Sequence, residues 1–163
     1  MRNTSLAVLL IALVLTVGCD QVTKSMAGSY LKPGASLSFL GDTIRLQYTQ
    51  NAGAFLGIGK NLSAELRFWI FIVGAGALLV SLAIYFVAQK GSSFLAVVGC
   101  SLILGGGVSN LADRVVNDGR VVDFLNIGIG GIRTGIFNIA DVAILVGIAA
   151  LFVRQSKKQS EMW

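Results

Sequence analysis

Two aspartates, Asp123 and Asp141, stand at the edges of apolar stretches, in Val121-Val-Asp-Phe124 and Phe137-Asn-Ile-Ala-Asp141. An ionised acid at the centre of a membrane helix is disfavoured by roughly 3 kcal/mol, so an acid kept at that boundary is a candidate for function. Two carboxyl groups held close together cannot both ionise cheaply, and the pair shares a proton near neutrality. The ionised member can take a proton from water while its protonated partner donates to a carbonyl oxygen. That chemistry hydrolyses an amide with no nucleophilic side chain, no metal and no cofactor. The chain contains no histidine, which removes Ser-His-Asp, Cys-His and His-Glu-x-x-His chemistry together. Lys24 and Ser25 are a poor Ser-Lys dyad, because adjacent helical residues do not face each other. A second use of the same acids is a proton relay in a membrane carrier.

The elements that position these acids follow from composition. Of 163 residues, 55% are apolar and 13% charged, about half the charge of an average soluble domain. The length suits one domain. The net charge of +5 comes from scattered residues, which fits membrane-flanking charge and not a nucleic-acid surface. Cys19 and Cys100 lie in apolar runs without ligand spacing, which predicts lone thiols.

The first apolar run, Leu6 to Cys19, is short for a span and lengthens if the helix continues through Asp20-Gln-Val-Thr-Lys24 to Ala27. Asp20 and Lys24 are then an i, i+4 ion pair in the favourable order. An alternative reading makes Arg2 to Cys19 a signal peptide with Cys19 as a lipidated residue. Thr16 fits that pattern poorly, and further spans follow where a soluble domain is expected.

Alternation of Ile44, Leu46 and Tyr48 with Arg45, Gln47 and Thr49 predicts a half-buried strand, with Phe39-Leu40 before it across Gly41-Asp42. The segment holding Pro33 and Asn51 to Gly57 is too rich in breakers for a long helix. Phe68 to Ala88 carries no charge and is bracketed by Arg67 and Lys90; a third span starts at Phe94. At its far end Gly106, Asn110 and Arg114 share one face, a small residue for close helix approach and two donors. Asp118-Gly119 reads as a turn and Ile127 to Gly135 as a loop. Asn138 lies one turn before Asp141 in the last span. The expected fold is an all-α membrane protein, a four-transmembrane-helix bundle with a small external β element between spans 1 and 2. Spans are expected at about 6–27, 68–88, 94–112 and 137–153, with the β element at about 36–58. The density of Arg2, Lys90, Arg154, Lys157 and Lys158 favours cytoplasmic termini. Asp20, Asn51, Asp113, Asp123 and Asp141 then gather at the opposite, external face.

These motifs (Asp20-Gln-Val-Thr-Lys24, Asn51-Ala-Gly-Ala-Phe55, Gly105-Gly-Gly-Val-Ser-Asn-Leu-Ala-Asp-Arg114, Val121-Val-Asp-Phe124 and Phe137-Asn-Ile-Ala-Asp141) occur in one order along the chain. Together they closely resemble signal peptidase II, the bacterial lipoprotein signal peptidase. The resemblance implies a single-domain aspartic endopeptidase of the bacterial cytoplasmic membrane, cutting diacylglyceryl-modified prolipoproteins before the lipidated cysteine. It implies lipid-modified precursors and membrane lipid as partners, and neither cofactor nor nucleic acid. Asp123 and Asp141 match the catalytic pair, and Asn51, Gly53, Asn110, Arg114, Asn138 and Ala140 match positions that hold substrate or shape the site. Asp20 and Lys24 match a supporting ion pair, with Asp113 paired nearby, and the strand near Ile44 to Tyr48 matches an external β-cradle. Phe55, Leu56 and Ser109 depart from the family pattern, which is expected to alter the groove or its lid.

Overall fold

The computed structural model describes residues 3–32, 34–89 and 93–160. Arg2, Pro33 and Lys90 lie outside these residues, and of Lys157 and Lys158 only the helical backbone is described. Helix α1 runs Asn3–Tyr30, so the first span continues through Asp20 and Lys24 without a break. Cys19 is an exposed free thiol within it, and Cys100 is a buried one. The second span is a composite. Ser63 caps the short α2 (Ala64–Phe68), a π-helical stretch follows over Trp69–Gly74, and α3 (Ala75–Ala88) completes it. Helices α4 (Phe94–Val116) and α5 (Ile139–Ser160) follow. Four helical stretches are therefore long and apolar enough to cross a membrane. Asp113 and Arg114, expected just beyond the third span, form part of its last turn.

Helix α4 is the centre of the bundle, and three consecutive glycines explain how. Successive residues point about 100° apart around a helix, so the triplet looks in three directions. A Cβ on Gly105 would meet Thr16 of α1 at 2.8 Å, one on Gly106 the Ala140 carbonyl of α5 at 2.5 Å, and one on Gly107 Leu79 of α3 at 2.5 Å. Lower down, Gly99 and Gly147 abut through each other's carbonyl oxygens. Close backbone approach of this kind substitutes for the hydrophobic drive that lipid does not supply. One apolar cluster joins Leu9, Phe86, Val97, Cys100 and Leu104 across the spans, and a second joins Ala27, Leu31 and Phe124 under the sheet.

The sheet is antiparallel with order β1 (Leu37–Phe39), β2 (Ile44–Asn51), β3 (Val121–Ile129), β4 (Ile132–Arg133). Strands β1 and β2 lie between the first two spans, as expected. The other two strands come from the connection between α4 and α5, where Ile127 to Gly135 was expected to be a loop; β3 instead extends to Ile129 and turns at Gly130 into β4. Its glycines hid a hairpin that pairing with β2 stabilises.

A candidate active site at the outer ends of the spans

Asp123 projects from β3, between two different partners. On one side β2 pairs with β3, with Leu46 opposite Leu125 but Thr49 opposite Asp123, which requires one extra residue on β2. That bulge reverses which side chains of β2 share the face of Asp123. Asn51, two residues past Thr49, becomes its diagonal neighbour and donates from Nδ2 to Asp123 Oδ2 at 2.9 Å. On the other side, the backbone of Phe137 bonds to Phe124 and Leu125 and brings the start of α5 alongside β3. Asn138 Nδ2 then donates to Asp123 Oδ1 at 2.6 Å.

Asp141 is fixed from the opposite end of the same asparagine. Asn138 precedes the first residue of α5, and its Oδ1 accepts the Asp141 N–H at 2.9 Å. The Asn138 N–H donates back to Asp141 Oδ2 at 3.3 Å. This reciprocal capping box satisfies two donors at the helix start. Asn110 Nδ2 donates to the other oxygen of Asp141 at 2.9 Å. The two acids thus come from different elements and are bridged by one residue, Asn138, whose side chain bonds the Asp123 carboxyl and whose backbone N–H bonds that of Asp141. Asp123 is 1% exposed and Asp141 8%. Burial pushes the Asp123 carboxyl up to about 7; the Asn51 bond opposes this and the charge of Asp141 adds to it. The Asp123 carboxyl is thus held well above the ordinary carboxylate range by its surroundings.

Beneath the pair lies a buried ionic cluster. Lys24 Nζ is 2.6 Å from Asp20, 2.9 Å from Asp113 and 2.8 Å from Asn110 Oδ1. Asp20 also accepts from Ser109 Oγ and from the Ala140 N–H, both at 2.8 Å, and so caps α5 from another helix. Asp113 accepts the Val122 N–H and tethers β3 to α4.

The chain matches the Signal peptidase (SPase) II family over residues 11–157. It belongs to the signal peptidase II family. It is 35% identical to the lipoprotein signal peptidase of Syntrophotalea carbinolica over 155 residues, 95% of this chain and 94% of that one. It is likewise 35% identical to the lipoprotein signal peptidase of Geobacillus kaustophilus over 134 residues, 82% and 83% of the two chains. A solved bacterial membrane enzyme obtained by the in meso method is similar to it with a TM-score of 0.79 and 28% identity, covering 99% of this chain and 92% of that chain. A second such structure gives a TM-score of 0.74 at 28% identity, covering 95% and 94%. The chain is thus a multi-pass membrane protein of a protease family.

Within this signal peptidase II fold, Asp20, Lys24, Asn51, Asn110, Asp113, Arg114, Asp123, Asn138 and Asp141 are joined in one polar layer or hydrogen-bonded against it. Two have duties that spacing does not show. Asn110 was expected to bond an extended substrate, yet its Oδ1 is taken by Lys24 and Asn138 and one Nδ2 hydrogen by Asp141. Arg114, read in the same way, donates to the Gly53 carbonyl at 2.6 Å and the Gly119 carbonyl at 2.9 Å, and stacks over Phe71. Phe71 belongs to the π-helical stretch, a distortion frequent at functional sites. Arg114 therefore tethers the Asn51 loop and the turn at Asp118-Gly119. Gly53 is required where that loop closes, since a Cβ would lie 2.6 Å from the Ile58 carbonyl. Phe55 and Leu56 sit half-exposed on the loop, and Leu56 packs against Gly135. Ser109 lies fully buried and donates to Asp20. Gln21, not anticipated, bridges Ser109 Oγ and Asp113 from Nε2. Its signal was its place inside the Asp20-to-Lys24 motif.

Proposed function

We propose that this enzyme removes the signal peptide from diacylglyceryl-modified prolipoproteins, cutting before the lipidated cysteine, and that it is an aspartic endopeptidase using Asp123 and Asp141. The observation that carries the reading is the bridge: Asn138 bonds both carboxylates, one on a strand and one on a helix, at the ends of the spans. Water between the two groups gives a proton to the ionised carboxylate as its oxygen bonds the scissile carbonyl carbon. The protonated partner donates to the carbonyl oxygen. Collapse of the tetrahedral species breaks the C–N bond, and the leaving nitrogen takes the proton that the carboxylate received. The proton belongs to the pair and not to either acid. Asn51, Asn110 and Asn138 fix both carboxylates before substrate arrives, and such positioning is a large part of catalysis.

The working setting is the bacterial cytoplasmic membrane, with cytoplasmic termini and the acids at the external face. The signal peptide lies among the spans and the acyl chains of the cysteine stay in lipid. A carrier would pass protons through the middle of the spans, whereas the buried acids Asp20, Asp113, Asp123 and Asp141 gather at one end. The test is cleavage of a purified lipidated precursor by Asp123→Asn and Asp141→Asn variants shown to remain folded in detergent. A fall of about 10²- to 10⁴-fold or more is expected for each. A wild-type rate in either variant discards the pair.

A further inference from the structure

A cavity of about 370 Å³ lies between the start of the second span and the end of α4. Phe68, Ile72 and Val115 form its apolar walls. Arg67 stands on its α2 side, Asp118 on the turn that follows α4, and the buried Arg114 at its inner end. Its volume falls within the range of small-molecule sites, about 300–1,000 Å³. Val115 points about 140° around α4 from Asn110. The cavity therefore opens away from the side on which Asn110 meets Asp141.

The charges at its mouth are of both signs and stay apart. Among the described residues, no ion pair within 4.0 Å joins Arg67 or Asp118 to any group. Arg67 donates from Nη1 to the Lys60 and Leu62 carbonyls at 3.2 and 2.7 Å. That anchors one arm of the guanidinium and leaves Nε and Nη2 without a partner among the described residues. Asp118 occupies a position where glycine is the usual residue. The Gly119 N–H donates to the Arg114 carbonyl at 2.8 Å and closes α4 with a Schellman turn. The residue before Gly119 is then left-handed, and Asp118 has φ 51°. Aspartate adopts that conformation less readily than glycine, so its presence there points to a use for the carboxylate.

The level of the cavity is that of lipid headgroups. The second span has 25 residues from Ala64 to Ala88, about 37 Å of helix against about 30 Å of hydrocarbon. No charge occurs from Phe68 to Ala88, so the excess length is the first turn, which carries Arg67. Phe68 and Trp69 come next, 48% and 57% exposed, at the depth aromatic residues favour. We infer that this cavity binds the zwitterionic phosphoethanolamine headgroup of a membrane phospholipid. The phosphate meets the Arg67 guanidinium in a forked, charge-assisted pair. The ammonium meets the Asp118 carboxylate, and the glycerol backbone lies on Phe68, Ile72 and Val115. A headgroup with a phosphate but no ammonium leaves Asp118 facing a like charge, which selects against it. The bound lipid joins the second span to α4 beside Arg114, whose bond to the Gly53 carbonyl holds the loop that begins at Asn51. The inference rests on the spans and the cavity and is independent of the peptidase reading.

The test is native mass spectrometry of the full chain, delipidated in detergent and titrated with phosphatidylethanolamine, phosphatidylglycerol or free phosphoethanolamine. The expected result is one saturable phosphatidylethanolamine, bound several-fold more tightly than phosphatidylglycerol. Asp118→Asn suits the left-handed position at least as well and should abolish that preference by weakening only the ethanolamine lipid. Arg67→Gln should weaken both lipids by about tenfold or more, the usual worth of a charge-assisted hydrogen bond. Equal affinity of the wild type for the two lipids, or a preference that survives Asp118→Asn, would overturn the inference. Free phosphoethanolamine binding as tightly as the lipid would overturn the membrane source and assign the site to a soluble compound.

Discussion

Replacing Asn138 separates two jobs that one side chain performs. Its Oδ1 caps α5 and its Nδ2 donates to Asp123. Loss of an N-cap acceptor costs about 0.5–2 kcal/mol. Loss of a hydrogen bond to a charged group costs about 1.5–3 kcal/mol more, so Asn138→Ala should destabilise by about 2–5 kcal/mol. The Asn138 bond also favours the ionised form of Asp123, and without it the carboxyl holds its proton to higher pH. With each unit worth about 1.4 kcal/mol, the Asp123-dependent limb of the rate profile should move up by about one to two units. Asn138→Ser separates the terms, because serine is an equally good cap but is too short to reach Asp123. It should melt near the wild type and still show the upward shift. The assay is kcat/KM for a lipidated precursor between pH 5 and 9, beside thermal unfolding in the same detergent. A Ser variant with an unshifted profile, or an Ala variant unchanged in both measurements, would refute the reasoning.

Because burial raises the Asp123 carboxyl to about 7, the native state holds a proton that the unfolded state releases near pH 4. The sign is then fixed: stability falls as pH rises from about 4 to about 7, by at most about 4 kcal/mol. Asp123→Asn should flatten that slope in melting curves taken across the range. Lys24→Met leaves Asp20 and Asp113 buried without their shared cation, a loss expected at about 3–5 kcal/mol and readable as a large drop in Tm; a loss under about 1 kcal/mol would mean that the cluster relaxes or takes up protons. Gly106→Val drives a side chain into the Ala140 carbonyl; overpacking costs about 1–3 kcal/mol, and activity should fall further than stability because the start of α5 carries Asn138 and Asp141. Gly18→Val, with nothing within 4 Å, is the matched control and should leave both unchanged.

The helices and the polar layer were legible because they rest on local signals. Charge-free runs mark the spans, and the i, i+4 spacing puts Lys24 beside Asp20 whatever the tertiary fold. The alternation at Ile44 to Tyr48 revealed β2, but β4 is two residues long among glycines and exists only by pairing with β3. The bulge between Leu46 and Thr49 decides that Asn51 reaches Asp123, and nothing in the sequence of β2 announces it. Asn110 and Arg114 were recognisable as donors on one face, but their acceptors sit on chain segments far away in sequence. A donor's identity is local, whereas its partner is a property of the fold.

That distinction explains why residues remote from the acids matter to them. The buried polar layer contains four acids, Asp20, Asp113, Asp123 and Asp141, and two bases, Lys24 and Arg114. Fully ionised, it would hold two uncompensated negative charges away from water, an expensive state. One proton on the pair reduces the excess to a single carboxylate, the protonation state that the proposed water activation uses. Lys24 serves this balance without touching either acid: it neutralises one of its two flanking carboxylates and, through Asn110 Oδ1, orients the amide whose nitrogen bonds Asp141. Removing Lys24 adds one more excess charge to the layer. The first response open to the protein is then a second proton on the pair, which would leave no ionised carboxylate to accept the proton of water.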